Sequence, residues 1–202
     1  MTGDARAPSL EEVNASIWRL LQLAVASSND PWRLPILATV DGDTPRARTV
    51  VLRSVCDTSK TLIVHTDVRS AKIAQLRQNA NVCLAFYNPN TMTQISVTGT
   101  AEVLTDGAVG DANWQTTAAS SRRGYLGKLA PGTSTQRPDI NLPPEVRGRI
   151  PTEDELIPAR RNFAVLSIVI TSIDWLRLGR DGNLRAVLSY GASTNDFTWV
   201  AP

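Results

Sequence analysis

The sequence predicts a mainly β chain with a few helices (α+β), its antiparallel strands closed into a small barrel that carries helices at its ends. Three observations lead there. Short β-rich runs recur along the chain with turn chemistry between them. Helical periodicity is confined to a few stretches, and the regular βαβ alternation of a parallel sheet is missing.

Positions 9–26, SLEEVNASIWRLLQLAVA, open with Ser9 and two acids and then place Val13, Ile17, Leu20, Leu21 and Ala24 at helical spacing. This is a capped amphipathic helix over about residues 9–27. After NDPW, the run LPILATVDGDTPRARTVVLRSV reads as two β-rich segments joined by a turn with Asp-Gly and Pro. TLIVHT is a third strand, and KIAQLRQN a short helix that starts near Ser70 and is ended by Asn79. VCLAFY and TQISVTGTAEVL are two more strands, the second alternating as a strand with one exposed face does. DGAVGDANWQTTAASSRRGYLG looks helical in its second half. The following stretch holds five prolines and few large apolar residues, and over about 130–151 it reads as a surface loop or a partly disordered segment. FAVLSIVITSIDWLRL, NLRAVLSY and FTWVAP complete the strands.

A chain of 202 residues suits one domain, here taken as 1–202, with no need of covalent staples. Cys56 and Cys83 form no CxxC or Cys/His group, so neither a disulfide framework nor a metal site is indicated. No run approaches the roughly 20 apolar residues of a membrane helix, and the amino terminus lacks a signal-peptide layout. The expected protein is cytoplasmic and makes no membrane contact. A net charge of +2, with the arginines scattered, gives no case for nucleic acid.

The chemistry concentrates in HTDVRSAKIAQLRQN, residues 65–79, which holds the only histidine. If a strand ends here and a helix begins near Ser70, the free N–H groups of the first turn form an anion seat. Thr66, Ser70 and Lys72 would add hydroxyls and an ammonium for one phosphate. The plain alternative is a helix capped by Asp67 or Ser70, with Arg69 and Lys72 as solvated charges. In RARTVVLRSV, Arg48 and Arg53 bracket Thr49, Val50, Val51 and Leu52, and their odd separation sends them to opposite faces of a straight strand. Only a bend would let both reach one pocket.

RTVVLR at 48–53, His65-Thr66, RSAK at 69–72, Gln94 heading its strand, Trp175 after an acid, Arg185 ten residues on and the terminal WVAP together resemble the pyridoxamine 5'-phosphate oxidase-like family. That family consists of FMN-binding split barrels, and the resemblance covers roughly residues 33–202. It implies that Arg48, Ser70 and Lys72 hold the FMN phosphate, with Arg69 a substitute for the arginine the family often has where this chain has Ala71. It places Thr49 to Arg53 along the isoalloxazine, with Val50, Val51 and Leu52 flanking the ring, His65 and Thr66 beside it, and Gln94 donating to its polar edge. Trp175 and Arg185 would come from the other subunit of a homodimer with flavin at its interface.

The resemblance also has a gap. Where the authentic oxidase reads its substrate with Arg-x-His-x-Arg, this chain has DGNLR at 181–185 and keeps only the last arginine. Asp181 would repel a substrate phosphate. Arg122, Arg123 and Tyr125 could line a substrate pocket, and Arg53 and His65 are the nearest ionisable groups, but no catalytic acid or base is assigned. The reading is an FMN-dependent oxidoreductase acting on a small molecule. The alternatives are a flavin-binding or storage protein without turnover, and a deazaflavin-dependent split-barrel reductase.

Overall fold

The computed structural model describes residues 7–202. Helix α1 (Leu10–Ala26) starts on a reciprocal cap: the Ser9 hydroxyl accepts from the Glu12 amide at 3.1 Å, and the Glu12 carboxylate accepts from the Ser9 amide at 2.6 Å. Its apolar stripe, Val13, Ile17, Trp18, Leu21 and Ala24, is buried against the barrel. The helix has no basic residue in its last turn. Arg33, in the turn Pro31–Arg33, substitutes by donating to the Ala24 and Val25 carbonyls.

The strands in chain order are β1 (Ile36–Asp41), β2 (Thr44–Thr49), β3 (Leu52–Cys56), β4 (Thr61–Asp67), β5 (Asn81–Asn88), β6 (Thr93–Leu104), β7 (Phe163–Arg177), β8 (Leu184–Tyr190) and β9 (Asn195–Val200). All pair antiparallel in the order β2-β1-β5-β6-β7-β4-β3, with β8 and β9 added along the second half of β7. The two ends of this order are consecutive in sequence. Thr49 ends β2 and Leu52 begins β3, so the sheet edges approach within about 11 Å, the reach of three residues. The sheet is therefore curled into a barrel split along one side.

This corrects the expected pair of β segments before TLIVHT, since there are three. Val50 and Val51 carry the chain from one sheet edge to the other, a break that a β-branched run does not announce. The interior is filled by the inward residues of alternating strands, among them Leu37, Leu52, Leu62, Val64, Leu84, Phe86, Ile95, Val97, Leu166 and Ile168.

Helix α2 (Ala71–Gln78) follows β4 as expected. Helix α3 (Gly107–Thr116) occupies the first half of the stretch expected to be helical only in its second, where α4 (Ala119–Arg122) and a 3-10 turn (Arg123–Leu126) follow. Its Gly- and Asp-rich sequence carries no apolar stripe, and Gly110 alone is buried. Gly110 lies where a Cβ would come to 3.0 Å from the Arg160 guanidinium. Residues 128–151 form an exposed loop with one short turn at Pro144–Val146, tied across its base by the Asn141 amide, which bonds both the N–H and the C=O of Leu129. Helix α5 (Glu153–Leu156) then leads back to β7.

Candidate functional site

Strand alternation fixes the first half of the site. In β4, Leu62, Val64 and Thr66 face inward and are buried, whereas Ile63, His65 and Asp67 face the other way. Thr66 thus points toward the start of α2. There Lys72 Nζ donates to Thr66 Oγ1 and to Ser70 Oγ, each at 2.9 Å, and the two hydroxyls lie 3.4 Å apart. Ser70 occupies the N-cap position of α2, yet its side chain makes no capping bond.

Arg48 arrives from β2. Its guanidinium donates to Thr39 Oγ1 at 2.6 Å and to Gln75 Oε1 at 3.1 Å, and Gln75 belongs to the same helix as Lys72. Burial and the Arg48 charge both push the Lys72 ammonium below its ordinary value, and burial and Arg46 do the same for Arg48. Neither Arg48 nor Lys72 has an ion-pair partner among the described residues. Because Lys72 donates to the hydroxyl oxygens, the hydroxyl protons remain free to meet an acceptor. Two neighbouring cations and two hydroxyl donors fit a phosphate dianion. Thr39 and Gln75 complete this seat, and no local sequence motif marks them.

Arg69 is not part of it. Its guanidinium pairs with Asp67 at 3.0 and 2.7 Å and donates to the Gly127 carbonyl at 2.9 Å, so it anchors the segment after α4 and cannot substitute for an arginine at Ala71. Asp67 and Arg69 are structural, but as a pair with each other and not as a helix cap and a solvated charge. The apolar wall is corrected as well: Val50 and Leu52 are buried in the core, and the Val50 amide donates to the Pro35 carbonyl at 2.9 Å. Only half-buried Val51, exposed Thr49 and the backbone remain to face a planar ligand.

His65 and Thr66, adjacent in sequence, serve opposite sides of the sheet. His65 packs edge-on to Phe163 at 4.8 Å and its Nε2 bonds Asn113 Oδ1 at 3.0 Å. It lines a cavity of about 490 Å³ between β3, β4 and the helices α3 and α4. Arg53 lines the same cavity, at the bulge where the β3–β4 register shifts between Leu52 and Ser54. Arg53 is separated from Arg48 because β2 and β3 lie at opposite ends of the strand order. Arg33, Ser54, Asn113, Thr117 and Ser121 also line it. The residues from α3 carry no sequence signal of this role.

Arg122, Arg123 and Tyr125 do not line this cavity. Arg122 is buried and bidentate to Glu153 at 2.9 and 2.6 Å, and Arg123 donates to the Arg149 carbonyl. Tyr125 stacks edge-on to Phe163 and Trp114 behind the cavity, and burial pushes its hydroxyl up to about 12. The proline-rich loop contributes nothing to the lining.

Burial, and to a smaller extent Arg53, push His65 below the ordinary histidine range, so the imidazole is neutral at pH 7. Its Nε2 carries the proton, because Asn113 Oδ1 is an acceptor while Asn113 Nδ2 donates to the Val109 carbonyl at 2.9 Å. A histidine whose folded pKa is depressed takes up its proton first in the unfolded chain. Stability is therefore expected to fall as pH drops below about 6.5. As His65 is the sole histidine, His65→Gln should flatten the urea-unfolding free energy between pH 7 and the carboxylate range. An unchanged slope would contradict the burial argument.

The remaining expected residues lie elsewhere. Gln94 is exposed on β6 and borders a shallow cavity of about 300 Å³ with Pro31, Leu34, Ile36 and Tyr87. Trp175 is 6 % exposed and packs edge-on to Trp199. Arg185 pairs with Asp174 at 3.0 and 2.6 Å. The β7–β8 register sets Trp175 opposite Ala186 and Arg185 opposite Leu176, so Trp175 and Arg185 project to opposite faces. Both are remote from His65 of their own chain. His65 faces Val165 on β7, and Trp175 is ten residues further along, on the order of 30 Å of strand.

Residues 15–105 match the family model described as pyridoxamine 5'-phosphate oxidase, FMN-binding domain. Over these residues, somewhat under half of the chain, the sequence is similar to that family. The matched region of this pyridoxamine 5'-phosphate oxidase-like chain contains Arg48, Thr66, Ser70 and Lys72 together with Arg53 and His65, but ends before α3 and α4. The fold extends further. A pyridoxamine 5'-phosphate oxidase-related, FMN binding protein from Nostoc punctiforme PCC 73102 is 24 % identical, with 99 % of this chain and 100 % of that one covered at a TM-score of 0.69. PhzG from Burkholderia lata 383, solved in complex with tetrahydrophenazine-1-carboxylic acid, is 16 % identical, with 98 % of each chain covered at a TM-score of 0.72. At these identities the likeness is one of fold. No curated protein matches the chain in sequence.

Proposed function

We propose that this chain binds FMN and works as a flavin-dependent oxidoreductase on a small molecule. The observation that carries this reading is the seat itself: Lys72, whose protonation is lowered by burial and by the nearby Arg48 charge, bonded to the hydroxyls of Thr66 and Ser70, with neither cation in an ion pair among the described residues. A phosphate monoester relieves that repulsion. When bound, FMN supplies two-electron redox chemistry, and the chain's own residues hold, orient and exclude. Arg48, Thr66, Ser70 and Lys72 hold the phosphate. The segment from Thr49 to Arg53 leads from this seat directly to the cavity of Arg53 and His65, which leaves room for a substrate.

Gln94, Trp175 and Arg185 belong to this reading through a second subunit, since the length of β7 keeps Trp175 and Arg185 away from the cavity of their own chain. Around Gln94 the surface carries exposed apolar residues, Leu34 at 51 %, Ile36 at 48 % and Tyr87 at 46 %, a patch suited to burial in a homodimer.

Titration of the purified protein with FMN and with riboflavin tests the reading. FMN should bind at least tenfold more tightly, and sedimentation should report a dimer. Bound flavin should lose its yellow absorbance with an electron donor under anaerobic conditions. Protein that ignores FMN ends the proposal, and FMN that binds but accepts electrons from no donor supports storage without turnover.

A further inference from the structure

The groups that hold Arg48 carry no charge. Among the described residues its guanidinium donates to the Leu37 carbonyl at 3.3 Å, to Thr39 Oγ1 at 2.6 Å and to Gln75 Oε1 at 3.1 Å. Thr39 and Gln75 are themselves buried, at 2 % and 5 % exposure. The Thr39 hydroxyl accepts from Arg48 and donates to Gln75 Oε1 at 2.7 Å, so the three side chains close a triangle. The orientation of the Gln75 amide follows from its partner. A guanidinium only donates, so the amide atom that meets it is the oxygen.

A half-buried arginine ordinarily finds a carboxylate. A glutamate would fit position 75, since it has the shape of glutamine and would accept the same two bonds. If the role of this side chain were only to fasten α2 to the barrel, glutamate would serve at least as well, because its charge strengthens both bonds. The chain has an uncharged amide there. Gln75 stands three residues after Lys72, so the helix that brings one cation of the seat also brings the neutral group that fixes the other. Asp67 compensates neither cation, because Arg69 takes both of its carboxylate oxygens. The unliganded seat therefore keeps two like charges within reach of one another, a cost that a glutamate at 75 would remove.

We propose that Gln75 is a specificity-determining positioning residue: with Thr39 it fixes the Arg48 guanidinium in the seat, and by carrying no charge it leaves both cations free for a doubly charged phosphate. This deepens the FMN reading and rests on it for the identity of the ligand. The preference for a dianion is a property of Arg48, Lys72 and Gln75 themselves.

Two substitutions of nearly equal shape separate charge from support. Gln75→Glu keeps both accepted hydrogen bonds and adds a negative charge, whereas Gln75→Met loses the bonds and stays neutral. Both variants and the parent are titrated with FMN and with riboflavin, and their melting temperatures are read with and without inorganic phosphate at constant ionic strength. Gln75→Glu should lower the preference for FMN over riboflavin by about tenfold or more, and should cancel the rise in melting temperature that phosphate gives the parent. Gln75→Met should lower the preference less, although it is the less stable of the two. If Gln75→Glu does not fold, Thr39→Val, which removes one acceptor of Arg48 at nearly constant shape, should lower the same preference while riboflavin binds as before.

An FMN preference in Gln75→Glu equal to that of the parent would overturn the proposal. A larger loss in Gln75→Met than in Gln75→Glu would overturn it too, being the order expected of a plain link between helix and barrel. So would an unchanged preference in Thr39→Val. Parent protein that ignores FMN but is stabilised by phosphate, with that stabilisation lost in Gln75→Glu, would leave the inference standing and defeat only the flavin reading. Parent protein that responds to neither ligand defeats both.

Discussion

Lys72→Ala is expected to weaken FMN binding by about 10- to 150-fold, the equivalent of the roughly 1.5–3 kcal/mol that a hydrogen bond to a charged group contributes. Riboflavin, which has no phosphate, should bind the variant as it binds the parent. The unliganded variant should be as stable as the parent or more so. Lys72 is held below its ordinary protonation range first by burial and then by Arg48, so removing it relieves a desolvation cost and a like-charge contact together. A lysine serving only structure would give the opposite result, a destabilised apoprotein with unchanged discrimination between FMN and riboflavin. Arg48→Ala should weaken FMN similarly. The double variant should lose less than the product of the two effects, because both cations act on one phosphate.

A loss of apoprotein stability is more ambiguous for Arg48, which also donates to Thr39 and Gln75 inside the barrel. Lys72 is the cleaner probe for that reason. Among the described residues its ammonium bonds only Thr66 and Ser70, and both hydroxyls can reorient toward water once it is gone.

The legible parts of this molecule were those set by local periodicity. TQISVTGTAEVL alternates so regularly that its strand, Thr93–Leu104, begins and ends with the run. The clustering of Thr66, Ser70 and Lys72 was legible because they sit on one strand end and the helix turn after it. What escaped depends on pairing over long distances. The break at Val50 and Val51 exists because β2 and β3 occupy opposite ends of the sheet order, a fact that no property of those valines reveals. The opposite facing of Trp175 and Arg185 follows from the register of the β7–β8 hairpin, which the intervening turn decides. The cavity wall was invisible for a different reason: Asn113, Thr117 and Ser121 are ordinary polar residues on short helices, and only the packing of those helices over β4 gives them a role. Arg69 was readable in principle, since it lies two residues from Asp67 and one ion pair accounts for both.

Gly99→Ala is the substitution expected to disturb the site most from a distance. Gly99 stands at the irregularity where the β6–β7 register shifts, and a Cβ there would run into the Val169 carbonyl and meet the Ile170 Cα at 3.1 Å. These are backbone atoms of the neighbouring strand, so no side chain can turn aside. The strands must separate or the bulge must move, and overpacking of this kind costs about 1–3 kcal/mol or more. The consequence reaches the site because β7 holds β6 on one side and β4 on the other, with Thr66 paired to Ala164 and His65 to Val165. A shift of β7 therefore moves Thr66 relative to Ser70 and Lys72, and His65 relative to Asn113. The expected result is a lower urea midpoint for Gly99→Ala with weaker FMN binding at temperatures where the chain is still folded. Gly42, at a positive φ of 60° in the β1–β2 turn with open space around it, provides the control. Gly42→Ala should cost stability through backbone strain alone and leave FMN affinity where it was, because nothing in the seat leans on that turn. Equal effects of the two substitutions on FMN affinity would show that the β6–β7 contact does not position the site.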